Sequence, residues 1–488
     1  MAAATANLSI RRESLISAAS NVVLVAVHLA TLALLTRALG STGLGAYFYA
    51  ISASFIAIIP SRELSEIMRK RASEVDSSSA EFFGLAQAGT ALYLIAFAGA
   101  LLLAAPTLVA RTPLTGPTVL AFGVYTAVLT QSAMSTRLYD AAGSPGASMV
   151  AQSLRETAFL GGVLALVWFG AASPRSVLLL GAGIHLSAAL CIYVLVGLVP
   201  RLPSRESLAS GAEFGKWSFP TGIASHLWEQ APTLLMGVVL GGSAVATYET
   251  AKRVAMVGSY LATCINDPLL VKISAMDTAD EDVLDYVRLA IDYTPSVAIP
   301  AVFLMAPVAS ELLLVAAGPE YATAGLVLLG VASIHVLSGV KTPIAAAIHG
   351  VDRPRYVFYL TAATLVAGVP AVVLGAAAGG VEGVVLALVA LELAGVVGSE
   401  VAARYAFGRV VLPETFHLQF GAAAAAGALV WAASHALDVT PVSTLGPVLA
   451  VGTAVHFGLF ALASEQFRAG SVRTLRDLSG FLGARTSV

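Results

Sequence analysis

Charge is what this sequence has least of. Only 11% of its 488 residues are Asp, Glu, Lys or Arg, against roughly 25% in a soluble domain. So few ionic groups cannot cover a water-exposed surface. Hydrophobic residues make up 57% of the chain, above the roughly 45–50% usual for globular proteins. With 27 basic and 29 acidic side chains, no basic face is available for nucleic acid. Cysteine is nearly absent. Cys191 and Cys264 stand far apart in apolar stretches, which excludes a disulfide framework and a cysteine metal site. Motifs of soluble chemistry are missing too: there is no H-E-x-x-H, G-x-S-x-G or paired-cysteine pattern. The run Gly211-Ala212-Glu213-Phe214-Gly215-Lys216-Trp217 is one residue short of P-loop glycine spacing. Trp217 also stands where Ser or Thr would hold magnesium, so no ATP hydrolysis is expected. Arg11 and Arg12 precede an apolar run too long for a signal-peptide core, and no small-residue cleavage site follows. No enzyme activity, cofactor or metal site is expected; coupling to H+ or Na+ stays open.

What the sequence has is long apolar segments. A spanning helix needs about 20 mostly apolar residues, and about fourteen such segments follow one another. They centre near Val25, Ser54, Ala96, Val128, Gly161, Ser187, Trp228, Met256, Val297, Val336, Val366, Ala390, Ala425 and Ala454. Short connections rich in Gly, Pro, Ser and charge join them. The expected fold is an all-α polytopic membrane protein. Basic residues then set orientation. With the N-terminus in the cytoplasm, the inner loops collect Arg11, Arg12, Arg69, Lys70, Arg71, Arg137, Arg201, Arg205, Arg404 and Arg409, among others. The outer loops hold Arg37, Arg111 and Arg175. Both termini are therefore expected inside, and Asn7-Leu8-Ser9 is a glycosylation acceptor on the wrong side.

The chain also repeats itself. Leu39-Gly40-Ser41-Thr42-Gly43-Leu44-Gly45-Ala46-Tyr47 aligns with Leu240-Gly241-Gly242-Ser243-Ala244-Val245-Ala246-Thr247-Tyr248. The register continues unbroken to Arg71 against Lys272 and Ala105-Pro106 against Ala306-Pro307. After a shift of a few residues, Ala141-Ala142-Gly143 meets Ile348-His349-Gly350. Six helices separate the copies, so both share one orientation and form a parallel repeat about an axis along the membrane normal. The expected organisation is a six-helix lobe over 1–200, a cytoplasmic linker over 201–214, and a second six-helix lobe over 215–410. Two last helices and a cytoplasmic tail occupy 411–488.

Ionisable groups at membrane depth cost a few kcal/mol each, so they tend to face a cavity or a partner. The seventh helix carries His226, Glu229, Gln230 and Thr233 at i, i+3, i+4, i+7, one face of the helix. The eighth carries Glu249, Lys252, Arg253, Tyr260, Thr263 and Asp267, and Glu249 can pair with Arg253 one turn on. Mutual neutralisation within the bundle is the plainer reading of these charges. In the repeat register, however, Glu249, Lys252 and Arg253 correspond to Phe48, Ile51 and Ser52, so packing of the unit does not demand them. Glu229 corresponds to His28, which puts a titratable group at the same depth in both copies. A binding cavity near the pseudo-two-fold axis is expected from Glu229, Lys252, Arg253, His28, His226, Gln230 and Glu249, with Arg62 at the inner end of the second helix. Arg155, Glu156, Asp292, His335, Lys341 and Glu392 are weaker candidates. For Arg62, Glu63 and Lys341, snorkelling to the interface is the plainer role. His185, His435 and His456 read as histidines satisfied within the bundle or at its interface.

Three stretches carry a likeness to a known family. They are Leu35-Thr36-Arg37-Ala38-Leu39-Gly40 with Gly45-Ala46-Tyr47, then Phe214-Gly215-Lys216-Trp217-Ser218-Phe219-Pro220-Thr221-Gly222, then Gly318-Pro319-Glu320-Tyr321 with residues 350–354 and Gly379-Gly380-Val381-Glu382-Gly383. In this order and spacing the chain resembles the Wzx-type polysaccharide transporters, flippases of the multidrug/oligosaccharidyl-lipid/polysaccharide superfamily. The resemblance implies a two-lobed, fourteen-helix cell-membrane transporter. Its substrate would be a lipid-linked glycan on a polyprenyl or dolichyl phosphate or diphosphate, and Lys252 and Arg253 would supply a cationic cavity. Membrane lipids, and glycan-assembly enzymes as candidate protein partners, belong to the same picture. The abundance of Arg over Lys, and of Ala and Gly, suggests a GC-rich prokaryotic genome. Two alternatives stay open. A cation-coupled multidrug exporter of the superfamily usually has twelve helices and often an acidic residue in the first, but 15–38 contain none. A membrane glycosyltransferase or ligase commonly needs a larger outer loop than this sequence provides.

Overall fold

A computed structural model describes residues 10–72, 79–141, 145–256, 284–350, 353–409, 411, 414–465 and 467–468. Among the described residues every regular element is helical. The first eight are α1 (Ile10–Ala57), α2 (Ile59–Ala72), α3 (Ser79–Arg111), α4 (Gly116–Ala141), α5 (Pro145–Trp168), α6 (Pro174–Val196), α7 (Arg205–Val239) and α8 (Gly242–Ala255). Then come α9 (Leu284–Tyr293), α10 (Ala298–Met305), α11 (Ala309–Ala317), α12 (Gly325–Gly350), α13 (Pro354–Phe407), α14 (Phe416–Ala436) and α15 (Val442–Ala463).

Nine segments among the described residues are long and apolar enough to cross a membrane. Two of them hold two spans each. Gly40 in α1 (φ 62°) and Gly379-Gly380 in α13 leave helical geometry and turn the chain. At the second turn Gly375 and Gly383 approach so closely that a Cβ on either would overlap the other's carbonyl group. The 26-residue α4 and the 35-residue α7 are long enough to span, but polar positions lower their hydropathy. With α8 as the visible part of one more span, the chain has about fourteen. Tyr260, Thr263, Cys264, Asp267 and Lys272 lie outside the described residues, as do Asn7, Ser9 and most of the tail.

The internal repeat is written into the backbone. Gly40 and Gly241 are equivalent in the sequence register, and both have left-handed φ, 62° and 88°. Two further pairs of left-handed glycines stand at matching turns, Gly170 with Gly380 and Gly197 with Gly408. Only glycine adopts this conformation without a Cβ penalty.

The helices fall into two compact units. The first comprises Met1–Arg253, Ala316–Gly318 and Phe358–Leu391. In it α1 packs on α5, α4 on α6, and α2 on both α3 and α4, while α7 lies along α1 and α2. A core of Met68, Phe82, Phe83, Ala86, Met134 and Leu138 joins α2, α3 and α4. α1 and α8 meet backbone to backbone, because a Cβ at Gly45 would overlap the Gly242 carbonyl. The segment expected as a linker is already helical from Arg205. Ser204 caps α7 by accepting from Ser207 N, and Glu81 of α3 accepts from Ser204 N at 3.0 Å and Ser207 Oγ at 2.7 Å. The second unit comprises Val254–Val315, Pro319–Val357 and Glu392–Val488. Its cores are Val287, Ile291, Ile344, Ile348 and Ala403 at one place, and Leu304, Val308, Ala426, Val430 and Leu445 at another.

Candidate functional site

A cavity of about 510 Å³ opens inside the first unit. Its walls come from α1 (His28, Tyr47, Ile51, Phe55), α4 (Tyr125, Leu129, Ser132, Thr136, Arg137), α5 (Gln152, Arg155, Glu156, Phe159) and α6 (Gly181, Ile184, His185). Arg62 of α2 and Arg253 of α8 complete it. Gly181 keeps the space open, since a Cβ there would stand 3.0 Å from the Tyr125 ring. Among the described residues, four arginines and two histidines line the cavity, against a single carboxylate, Glu156.

The polar groups form a connected floor. His28 Nε2 lies 3.5 Å from Glu156 Oε2, and Arg155 Nη2 lies 3.5 Å from Glu156 Oε1. Ser132 Oγ and His185 Nδ1 are 2.9 Å apart, with Tyr125 edge-on to the imidazole. Arg137 pairs at 2.7 Å with Glu66. The Arg253 guanidinium stacks 4.5 Å above the Phe48 ring, a cation–π contact that fixes its plane while leaving its edge N–H groups to other partners. Two donors in this shell, Arg155 Nε and Arg253 Nε, are buried without a hydrogen-bond partner. Buried unsatisfied donors are costly, so these positions suit a ligand that brings acceptor oxygens.

Of the eight cavity residues expected from sequence, His28, Arg62 and Arg253 line this cavity, and so do the weaker candidates Arg155 and Glu156. Glu229, Lys252, His226, Gln230 and Glu249 are not among its lining residues. Glu249 is buried and accepts from Thr233 Oγ1 at 2.6 Å and Lys252 Nζ at 3.3 Å; Arg253 reaches it only at 4.0 Å. Lys252 thus turns to its own helix, also lying over the Tyr248 ring, and is Glu249's nearer partner. His226 pairs with Glu229 at 3.6 Å. Gln230 is buried, whereas Glu229 is 62% exposed at its side chain and within electrostatic reach of Arg62 and Lys252. Lys341 does not snorkel. Its Nζ lies 2.6 Å from Glu392, which also accepts from Ser338 Oγ at 2.6 Å. A buried carboxylate one helix away outcompetes the interface for the ammonium. The sequence reading underweighted Arg155, Glu156 and His185. The stripe rule would have found them, since Gln152, Arg155, Glu156 and Phe159 follow i, i+3, i+4, i+7 on α5.

Known proteins share this architecture. The "Lipid II flippase MurJ, inward closed conformation" superposes with a TM-score of 0.74 at 13% identity, over 94% of this chain and 99% of that one. An inward-facing multidrug resistance MATE family transporter of the MOP superfamily superposes with a TM-score of 0.60 at 15% identity, over 80% of this chain and 98% of its own. In sequence, the probable low-salt glycan biosynthesis flippase Agl15 of Haloferax volcanii is 24% identical over 214 residues. That match takes in 41% of this chain and 44% of the relative, so the chain aligns with less than half of that relative's length. The sequence profile of the polysaccharide biosynthesis proteins matches residues 34–325, more than half of the sequence and every described cavity-lining residue but His28, and the chain belongs to that family.

Proposed function

We propose that the protein is a flippase that carries a lipid-linked oligosaccharide from the cytoplasmic to the outer leaflet by alternating access, without covalent chemistry. The observation that carries this reading is the cavity whose described lining holds four arginines and one carboxylate. A polyprenyl or dolichyl phosphate or diphosphate head is anionic and its glycan hydrophilic. Crossing hydrocarbon unaided strips both of water. Guanidinium groups replace that water with charge-assisted, planar hydrogen bonds, while the lipid tail stays in the bilayer. An inside-negative potential favours outward movement of an anion by about 2.3 kcal/mol per charge per 100 mV. The names of the relatives, a lipid II flippase and a glycan flippase, support the substrate class. A MATE-type exporter is the second reading. The wider reach of the MurJ superposition across this chain and the surplus of arginines both favour an anionic cargo.

In the same reading 1–200 and 215–410 are the two moving six-helix lobes, 411–488 stand apart from the duplication, and both termini are cytoplasmic. Glycan-assembly enzymes that deliver the substrate are the expected partners. Single cysteines placed at Arg69 or Arg404 should resist an impermeant thiol reagent in intact cells, while one at Arg111 should react. Labelling of the first two from outside would invert the topology. Deleting the gene should leave the sugar-lipid assembled on the cytoplasmic leaflet while surface glycan falls. Normal surface glycan with drug hypersensitivity would favour the exporter; sugar-lipid accumulating on the outer leaflet would point to a transferase.

A further inference from the structure

Among the described residues one carboxylate lines the cavity, and it stands where an anionic ligand would compete with it. Glu156 holds one oxygen toward Arg155 and the other toward His28, both at 3.5 Å. These are the donors an incoming phosphate needs, and Arg155 Nε is buried with no acceptor. The packing of the lobe does not explain a carboxylate here. The second copy of the repeat has Ala, Ala, Thr, Leu and Val over residues 362–366, the stretch that corresponds to Arg155 and Glu156.

We propose that Glu156 is a built-in counter-anion. It competes with the substrate's phosphate for Arg155 and His28, and anion loading is linked to uptake of a proton by the Glu156 carboxylate. This rests on the reading of the chamber as a phosphate-head site and adds the element that limits its affinity. The physics follows from Coulomb's law. An ionised Glu156 neutralises part of the arginine charge and repels the incoming anion at low effective dielectric. The protonated form does neither. Ligand and proton therefore favour each other's binding to the same degree. The titratable groups that face Glu156 are His28 and Tyr47 from α1, Tyr125 from α4, Arg155 from its own helix and His185 from α6. The protons of the two histidines must be separated from that of the carboxylate in any test.

Sulfate is the probe, because its charge is constant over the pH range of the test. Its binding to the purified full-length protein is measured by calorimetry from about pH 4 to 8, a span that takes in the ordinary carboxylate range. Wild-type affinity should rise as pH falls. Glu156→Gln should bind about tenfold more tightly at the alkaline end, equivalent to about one pKa unit of coupling, with a flattened pH profile. The double variant His28→Gln with His185→Gln, which keeps Glu156, should still take up protons when sulfate is added to weakly buffered protein. That second measurement stands even if Glu156→Gln fails to fold. A Glu156→Gln profile identical to wild type, or no proton uptake in the double histidine variant, would overturn the counter-anion role while leaving the anion site intact. Failure of wild type to bind sulfate at any pH, with Arg155→Ala indistinguishable from it, would instead remove the anion site itself.

Discussion

Arg253→Ala should reduce transport of the sugar-lipid by about tenfold or more, and Arg253→Lys should lie between the two. Among the described residues Arg253 is the one cavity cation carried by the second copy of the repeat, and it stacks on Phe48 of the first. Alanine removes the charge, the stack and the buried Nε. Lysine keeps the charge but loses the planar fork that matches phosphate oxygens. The structure separates this effect from simple unfolding. Glu249 keeps Thr233 at 2.6 Å and Lys252 at 3.3 Å when Arg253 is gone, so the carboxylate is not orphaned. Lys252→Ala provides the contrast. It should disturb stability more than transport, because Lys252 serves Glu249 and not the cavity. Rates per folded molecule, counted by size-exclusion chromatography, distinguish the two. Equal transport in Arg253→Ala and wild type would place the phosphate site elsewhere.

In the second unit, Lys341→Met should destabilise the protein by about 1–3 kcal/mol, less than the usual cost of breaking a fully buried ion pair from one side because the lysine side chain is 26% exposed. Lys341 Nζ is 2.6 Å from a Glu392 that is 9% exposed at its side chain, and the lysine stem lies against Gly395. The single change leaves Glu392 with Ser338 alone. Adding Glu392→Leu removes the stranded carboxylate, and the double variant should recover most of the loss. Thermal unfolding in detergent reads both. A double variant no more stable than the single one would mean that the pair itself, and not the stranded charge, holds these helices.

The helices and the duplication were legible in the sequence because both depend on pattern. Apolar length sets the spans, and the register from Leu39 against Leu240 survives into structure as paired left-handed glycines at 40 and 241. The site was half legible. Testing each charge against its repeat counterpart picked out Arg253 and His28, which line the chamber. It could not separate Lys252 from Arg253. Adjacent residues on a helix point about 100° apart, and which one meets the cavity depends on how α8 rotates against α1. The Gly45–Gly242 approach reflects that packing, and no local pattern encodes it. Arg155 and Glu156 pass the same test, since their counterparts are neutral, but adjacent opposite charges read as self-neutralising. In the structure Glu156 lies 3.5 Å both from Arg155 on its own helix and from His28 on another.

The most direct measurement uses the purified protein in liposomes that carry a lipid-linked oligosaccharide in both leaflets, with an impermeant glycan-cleaving enzyme added outside. If the protein moves such lipids, the pool protected in the inner leaflet should become cleavable in its presence, and Arg155→Ala and Arg253→Ala should leave that pool protected. A protected pool unchanged by the wild-type protein, in vesicles where the same protein exports a cationic dye, would contradict the flippase account.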